Sequence, residues 1–114
     1  MKSMAPGSSF HFEIEKTSKH EFGHEVTIIR CHGNLVAGTT VPLSDAVKPL
    51  ISPGCRIVID LSDLQILDSS GLGALIGLKV SAINQGLCKV ELANVPPRVQ
   101  ETLRITNLLE IFAA

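Results

Sequence analysis

The stretch IVIDLSDLQILDSSGLGALIGL, residues 57–78, decides the fold, because a strand pattern turns into a helix pattern inside it. With Cys55 and Arg56 ahead of it, the first part reads CRIVIDL, a near-continuous apolar run bounded by SPG and SD. A run of that kind suits a central strand covered on both faces. The second part reads as a helix over 71–85, ending at NQG, where Gly86 is a natural stop. That helix carries Gly71, Gly73 and Gly77, although each interior glycine costs about 0.5–1 kcal/mol relative to alanine. At about 100° per residue, Leu72, Leu75, Ile76, Val80 and Ile83 fall on one side, which is expected to pack on a sheet, with Lys79 among them. Ser70, Gly73, Ala74, Gly77 and Ser81 form the other side. A stripe of small residues leaves a shallow groove, open either to another helix of the domain or to a separate partner.

Toward the N-terminus, FHFEIEK alternates Phe10, Phe12 and Ile14 with His11, Glu13 and Glu15, the period of a half-buried strand. A second strand, EVTIIRCH, follows the turn-like KHEFGHE. TTVPLSDAVKPLI places Leu43, Val47, Leu50 and Ile51 at helical spacing, with Pro42 tolerated in the first turn and an end or bend near Pro49. Toward the C-terminus, KVELANV is a strand, PPRVQETLRI a helix started by its prolines, and TNLLEIF a closing turn or short helix. Residues 1–9 read as a loose tail and residues 10–114 as one domain. The order strand, strand, helix, strand, helix, strand, helix predicts an α/β fold. Its sheet is mixed, mostly parallel and four- to five-stranded, with helices packed over it and right-handed crossovers.

A chain of 114 residues accommodates one small domain, and 45% hydrophobic against 18% charged residues is too apolar for disorder. Ten basic against eleven acidic residues give a net charge of −1, which argues against direct nucleic-acid binding. The longest apolar run, Leu72–Leu78, is far below the roughly 20 residues that span a bilayer, and MKSMAPGSSF lacks an apolar signal core. No membrane insertion and a cytoplasmic location are therefore expected. Cys31, Cys55 and Cys88 are odd in number and widely spaced in apolar segments, and they read as buried thiols rather than as a disulfide or metal set.

Asp68, Ser69 and Ser70 are all good N-cap residues, and only one cap is needed. The others would stand where orphan N–H groups and the helix dipole favour an anion. A phosphate on one hydroxyl would add about −1.5 to −2 charge beside Asp68, enough to abolish docking without unfolding the domain.

The pattern of residues 57–78, with IIRCHGNL upstream and VELANVPPRVQETLRITNLLEIF downstream, resembles the STAS family, and within it the bacterial anti-sigma factor antagonists, over about Phe10–Phe112. The resemblance implies phosphorylation on Ser69, with Asp68, Ser70, Gly71 and Gly73 forming a docking surface that the small-residue face extends to Gly77. It implies a partner that is both anti-sigma factor and serine kinase, a serine phosphatase that resets the switch, and a regulator that is a monomer or homodimer. Gly33 and Asn34 belong to the turn that forms the rest of the partner-binding rim in the family. Family members commonly carry an acidic turn there, whereas this chain has GNLVAG.

Neither a catalytic residue nor a cofactor or metal is expected. LDSSG is not the G-x-S-x-G nucleophile elbow, and the four histidines sit in the first third of the chain. Asp60 ends an apolar strand as a response-regulator phosphoacceptor would, but no acidic pair for Mg²⁺ precedes it. No G-x-x-x-x-G-K-[ST] loop is present. The alternative function is a STAS scaffold subunit of a stress-signalling or lipid-transport complex, which should form large oligomers.

Overall fold

The computed structural model describes residues 9–21, 24–86 and 88–106. The predicted tail over residues 1–8 and the predicted closing turn beyond Thr106 lie outside them. Strands β1 (Phe10–Glu21) and β2 (His24–Leu35) lead to helix α1 (Thr40–Val47) and a 3-10 turn at Lys48–Leu50. Strand β3 (Arg56–Leu67), helix α2 (Ser69–Gln85), strand β4 (Lys89–Ala93) and helix α3 (Pro97–Ile105) follow. The sheet order is β1-β2-β3-β4, antiparallel between the first two strands and parallel between the others. The expected element order and mixed four-stranded sheet are thus observed.

The first three strands outrun their sequence patterns. β1 continues to Glu21 and β2 starts at His24, so Lys19 to Glu21 and His24 to Glu25, read as part of a turn, lie in paired strands. β3 runs through SDLQIL to Leu67, beyond the polar pair read as its end, because β2 continues beside it: His32 aligns with Asp63 and Leu35 with Leu67, after register shifts. Polar residues are tolerated in these strands because, among the described residues, the helices cover one face of the sheet only, which corrects the expectation that β3 is enclosed on both. Ile57, Ile59 and Leu61 are buried in strict alternation and join Ile29 and Cys31 of β2, Val90 of β4, Leu43 and Val47 of α1, and Val99 and Leu103 of α3 in one core. Arg56, Val58 and Asp60 between them are half-buried on the other face. A run of Val and Ile satisfies either arrangement, and periodicity cannot separate them.

On the open face the strands are cross-linked by charge. His32 Nδ1 lies 2.6 Å from Asp63 Oδ2 of β3 and its Nε2 lies 2.9 Å from Glu13 Oε1 of β1, while the His11 ring stacks on it with centroids 4.5 Å apart. Arg30 pairs with Glu15, and Arg56 with Glu91 at 3.1 Å. Asp63 and then Glu13 raise the pKa of His32 above its usual value, because both ring nitrogens face carboxylates.

Helix α2 is rotated relative to its predicted orientation. Gly71, Leu72, Leu75, Leu78, Lys79 and Ala82 are buried, whereas Val80 and Ile83, assigned to the sheet side, are 46% and 62% exposed. Gly71 is the reason: a Cβ there would overlap the carbonyl oxygen of Leu35. The helix therefore turns its one side-chain-free contact toward β2, and positions 75, 78 and 82 follow into the core at helical spacing. Lys79 is carried inside with them, its stem packed and its Nζ donating to the Val90 carbonyl at 3.2 Å. A Cβ at Gly73 or Gly77 would meet no atom within 4 Å.

Cys55 and Cys88 form a disulfide, against the expectation of three thiols; Cys31 is free and buried. The parallel register that pairs Arg56 with Lys89 sets the preceding residues level, at a Cα–Cα distance of 4.5 Å. The 33-residue separation that hid this pairing is one crossover of a parallel sheet.

Two outcomes are expected in unfolding experiments. Gly71→Ala should cost about 1–3 kcal/mol through overpacking against backbone, whereas Gly77→Ala should gain about 0.5–1 kcal/mol of helix propensity, both measured by urea titration. The raised pKa of His32 gives a stabilisation fully present below its ordinary value of 6.5 and lost as pH rises through the folded value. Wild-type Tm should accordingly fall more than that of His32→Gln as pH is raised from 6.5; parallel curves for the two proteins would rule this linkage out.

Candidate functional site

The C-terminal ends of β2 and β3 lie side by side, with Asn34 aligned to Ile66 and Leu35 to Leu67, so the loops that follow them are neighbours. Crevices beyond the carboxyl ends of parallel strands are the usual place for function in α/β sheets. One loop, residues 36–39, leads into α1, and Asp68, the single residue between β3 and α2, makes the other turn.

Among the three candidate caps, Asp68 takes the role. Its Oδ1 accepts the Gly71 N–H at 2.9 Å, and its Oδ2 accepts the Ala37 N–H of the neighbouring loop at 3.1 Å. These N–H groups, Gly71 first and Ala37 second, hold the carboxyl below its ordinary pKa, because they stabilise the ionised form. Its backbone is engaged too: the Asp68 N–H donates to the Leu35 carbonyl at 3.4 Å, and its own carbonyl accepts from Leu72 at 2.9 Å. One residue thus caps α2 and ties it to the other loop.

Thr39 organises that loop. It is buried, and although it occupies the N-cap position of α1 it makes no side-chain cap bond there. Its hydroxyl instead accepts from the Val36 N–H at 2.9 Å and faces the carbonyls of Asn34 and Val36 at 2.8 and 3.0 Å. Asn34, 6% exposed, donates its backbone N–H to Ser9 at 2.8 Å. Gly33 has φ +93°, and a Cβ there would overlap the Ser9 carbonyl oxygen. Nothing in the sequence singled out Thr39 or Ala37; a Thr just before a helix reads as an ordinary cap.

The expected site residues therefore separate into two groups. Ser69 and Ser70 open α2 and are exposed, and Gly73 and Gly77 are exposed further along it. Gly71 is buried against Leu35, and Asn34 is buried beneath the loop, so these two form the support of the rim and not its surface. At 100° per residue, Ser69, Gly73, Val80 and Ile83 share one side of α2, so the exposed side is more apolar than the small-residue stripe read from the sequence. Apart from Asp68, the rim has no ionisable side chain from Gly33 to Thr39 or from Asp68 to Leu78.

Among the described residues, no group of three or more His, Cys, Asp or Glu side chains could hold a metal ion, and no helix is long and apolar enough to cross a membrane. His32 is engaged by Asp63 and Glu13 on the open face of the sheet.

Comparison with known proteins agrees with this architecture. The STAS domain model matches residues 14–114. A STAS-domain containing protein of Pseudomonas aeruginosa (strain UCBPP-PA14) is 33% identical over 90 residues, covering 79% of this chain and 87% of that protein. The anti-sigma-B factor antagonist of Staphylococcus aureus (strain NCTC 8325 / PS 47) is 28% identical over 102 residues, 89% of this chain and 90% of its own length. Among solved structures, the anti-sigma factor antagonist SpoIIAA in its unphosphorylated form is similar with a TM-score of 0.64 at 20% identity, covering 86% of this chain and 82% of that one. The phosphorylated form of the Bacillus SpoIIAA gives a TM-score of 0.61 at 19% identity, with coverage of 86% and 85%. With the one-sided mixed sheet, the capped α2 and a family model that spans nearly the whole domain, the chain belongs to the STAS domain family.

Proposed function

We propose that this protein is an anti-sigma factor antagonist that works by partner switching. In the unmodified state it binds, through Ser69, Ser70 and the exposed side of α2, an anti-sigma factor that is also a serine kinase, and so releases a sigma factor to direct transcription. Phosphorylation of Ser69 ends that binding, and a serine phosphatase restores it. The protein acts in the cytoplasm by binding, not by catalysis, as a monomer or homodimer that touches neither nucleic acid nor the membrane interior.

The observation that carries this reading is the placement of an exposed Ser69 at the first position of α2, where Asp68 is the sole ionisable side chain of the segments Gly33–Thr39 and Asp68–Leu78. The Asp68 carboxylate already occupies the Gly71 and Ala37 N–H groups. A phosphate of about −1.5 to −2 charge on Ser69 would thus be the dominant charge of the rim. A partner surface built to cover small and apolar groups would have to desolvate it unpaired, which is costly. The core lies beneath α2 and is untouched, so the change is in binding and not in folding. The anti-sigma-B factor antagonist relative supports the assignment at the level of family role, and the two forms of SpoIIAA share the fold.

Co-expression with serine kinases encoded by the same organism, followed by intact-mass spectrometry and site mapping, should place a single phosphate on Ser69. With the kinase so identified, Ser69→Ala should bind within about threefold of wild type, while Ser69→Asp should lose tenfold or more, roughly 1.4 kcal/mol, with both variants unfolding like wild type. Gly77→Leu, on the exposed side of α2, should likewise weaken binding without lowering Tm. Equal binding by the two Ser69 variants would sink the switch, and a large homogeneous oligomer that no kinase modifies would favour a scaffold instead.

A further inference from the structure

Cys55 stands immediately before β3 and Cys88 immediately before β4, and the bond between their sulfurs joins the beginnings of two adjacent parallel strands. The proposed function places the chain beside sigma factors, in a compartment where thiols are kept reduced and where disulfides, when present, are mostly redox-responsive. We propose, on the basis of that reading, that Cys55 and Cys88 are a reversible redox pair, oxidised by thiol–disulfide exchange with a low-molecular-weight disulfide of the glutathione class.

The geometry suits reversibility in both directions. The Lys89 N–H donates to the Cys55 carbonyl at 2.8 Å, and Arg56, Ile57 and Val58 pair with Lys89, Val90 and Glu91, so the main chain holds the sulfurs level without the bond. Reduction therefore leaves the sheet intact, and reoxidation needs no strand movement. The two sulfurs differ in access: Cys55 is partly buried, in the turn after Gly54, whereas Cys88 is 7% exposed. Cys31, 1% exposed, lies in the core with its thiol pushed up to about 12 by burial, and takes no part.

The order of events follows from access. The Cys55 thiolate attacks one sulfur of the external disulfide; a bond forms to Cys55, the external S–S bond breaks, and one thiolate leaves and takes up a proton. The Cys88 thiolate then attacks Cys55 Sγ, forming the internal bond and expelling the second external thiolate. Two protein thiols are oxidised and one external disulfide is reduced to two thiols. Reduction reverses the same steps, with attack on Cys55.

The consequence is on stability and not on docking. Asp68 stands at the far end of the twelve-residue β3, roughly 40 Å along an extended strand. The bond closes a loop with a sequence separation of 33, and its loss should lower Tm by about 5–15 °C.

The test uses the wild-type full chain equilibrated in glutathione buffers from strongly reducing to strongly oxidising, quenched in acid, unfolded and alkylated, with labels counted by mass. The expected result is three labels at the reducing end and one at the oxidising end, with the midpoint inside the range, the Tm shift above, and equal binding of the kinase by both forms. A bond that persists throughout would make it a purely structural staple, and a pair that stays reduced throughout would remove it; either overturns the proposal. Cys88→Ser should trap one glutathionyl group on Cys55, and Cys55→Ser should trap none on Cys88; the reverse pattern would overturn the order of attack. The labelling result does not depend on Ser69 or on any partner, so a failed redox pair and a failed switch are told apart.

Discussion

The contact between Gly71 and the Leu35 carbonyl organises the end of the molecule that carries the candidate site. Because glycine has no Cβ, the first turn of α2 can sit against the backbone of β2, closer than any other residue would allow. That approach sets the rotation of the helix about its axis. It sends Leu75, Leu78 and Ala82 into the core and leaves Val80 and Ile83 in solvent beside Gly73 and Gly77. It also brings Asp68 within reach of the loop after β2, where its two carboxylate oxygens satisfy one N–H of the helix and one of the loop. Anchor, cap and exposed rim are thus one arrangement, and the three glycines of α2 have two separate uses: Gly71 for close packing, Gly73 and Gly77 for an open surface.

The two faces of the sheet divide the work. One face buries an aliphatic core against the helices, and the hydrophobic effect supplies the main driving force there. The other is joined by ion pairs and by His32, which is held between carboxylates of both neighbouring strands. Exposed pairs of this kind contribute modestly to stability; His32 meets Asp63 directly across the ladder, and the Arg30–Glu15, His32–Glu13 and Arg56–Glu91 pairs reach diagonally between strands. They also introduce a pH dependence that a one-sided apolar sheet would lack. Asp68 and Ser69 lie beyond the carboxyl ends of β2 and β3, whereas the Cys55–Cys88 bond lies at the other end of β3. A change at one end can therefore leave the other unaltered.

Membership of the STAS family and the order of elements both follow from patterns local in the chain. Alternation in FHFEIEK, the apolar run of CRIVIDL, the caps at DSS and the stop at Gly86 each act over a few residues, and each formed the element expected of it. The placement of the candidate residues was legible to the same depth: the hydroxyls of Ser69 and Ser70 and the carboxyl of Asp68 stand at the helix start because N-caps are short-range chemistry. Thr39 was missed because its hydroxyl turns back into the loop it follows instead of capping the helix it precedes.

What the amino-acid sequence determined by itself is therefore the identity and order of the strands and helices, the charge-poor rim and the candidate hydroxyls, since these depend on periodicities of two and 3.6 residues and on side chains bonding to their own backbone. What only the tertiary structure decided is the rotation of α2, the single covered face of the sheet, the burial of Gly71 and Asn34, and the pairing of Cys55 with Cys88. Each of these is a contact between segments distant in sequence: a carbonyl of β2 against a glycine of α2, or two strand starts brought level by parallel register. A helical pattern specifies which residues share a face, but the neighbour it meets specifies which face turns inward.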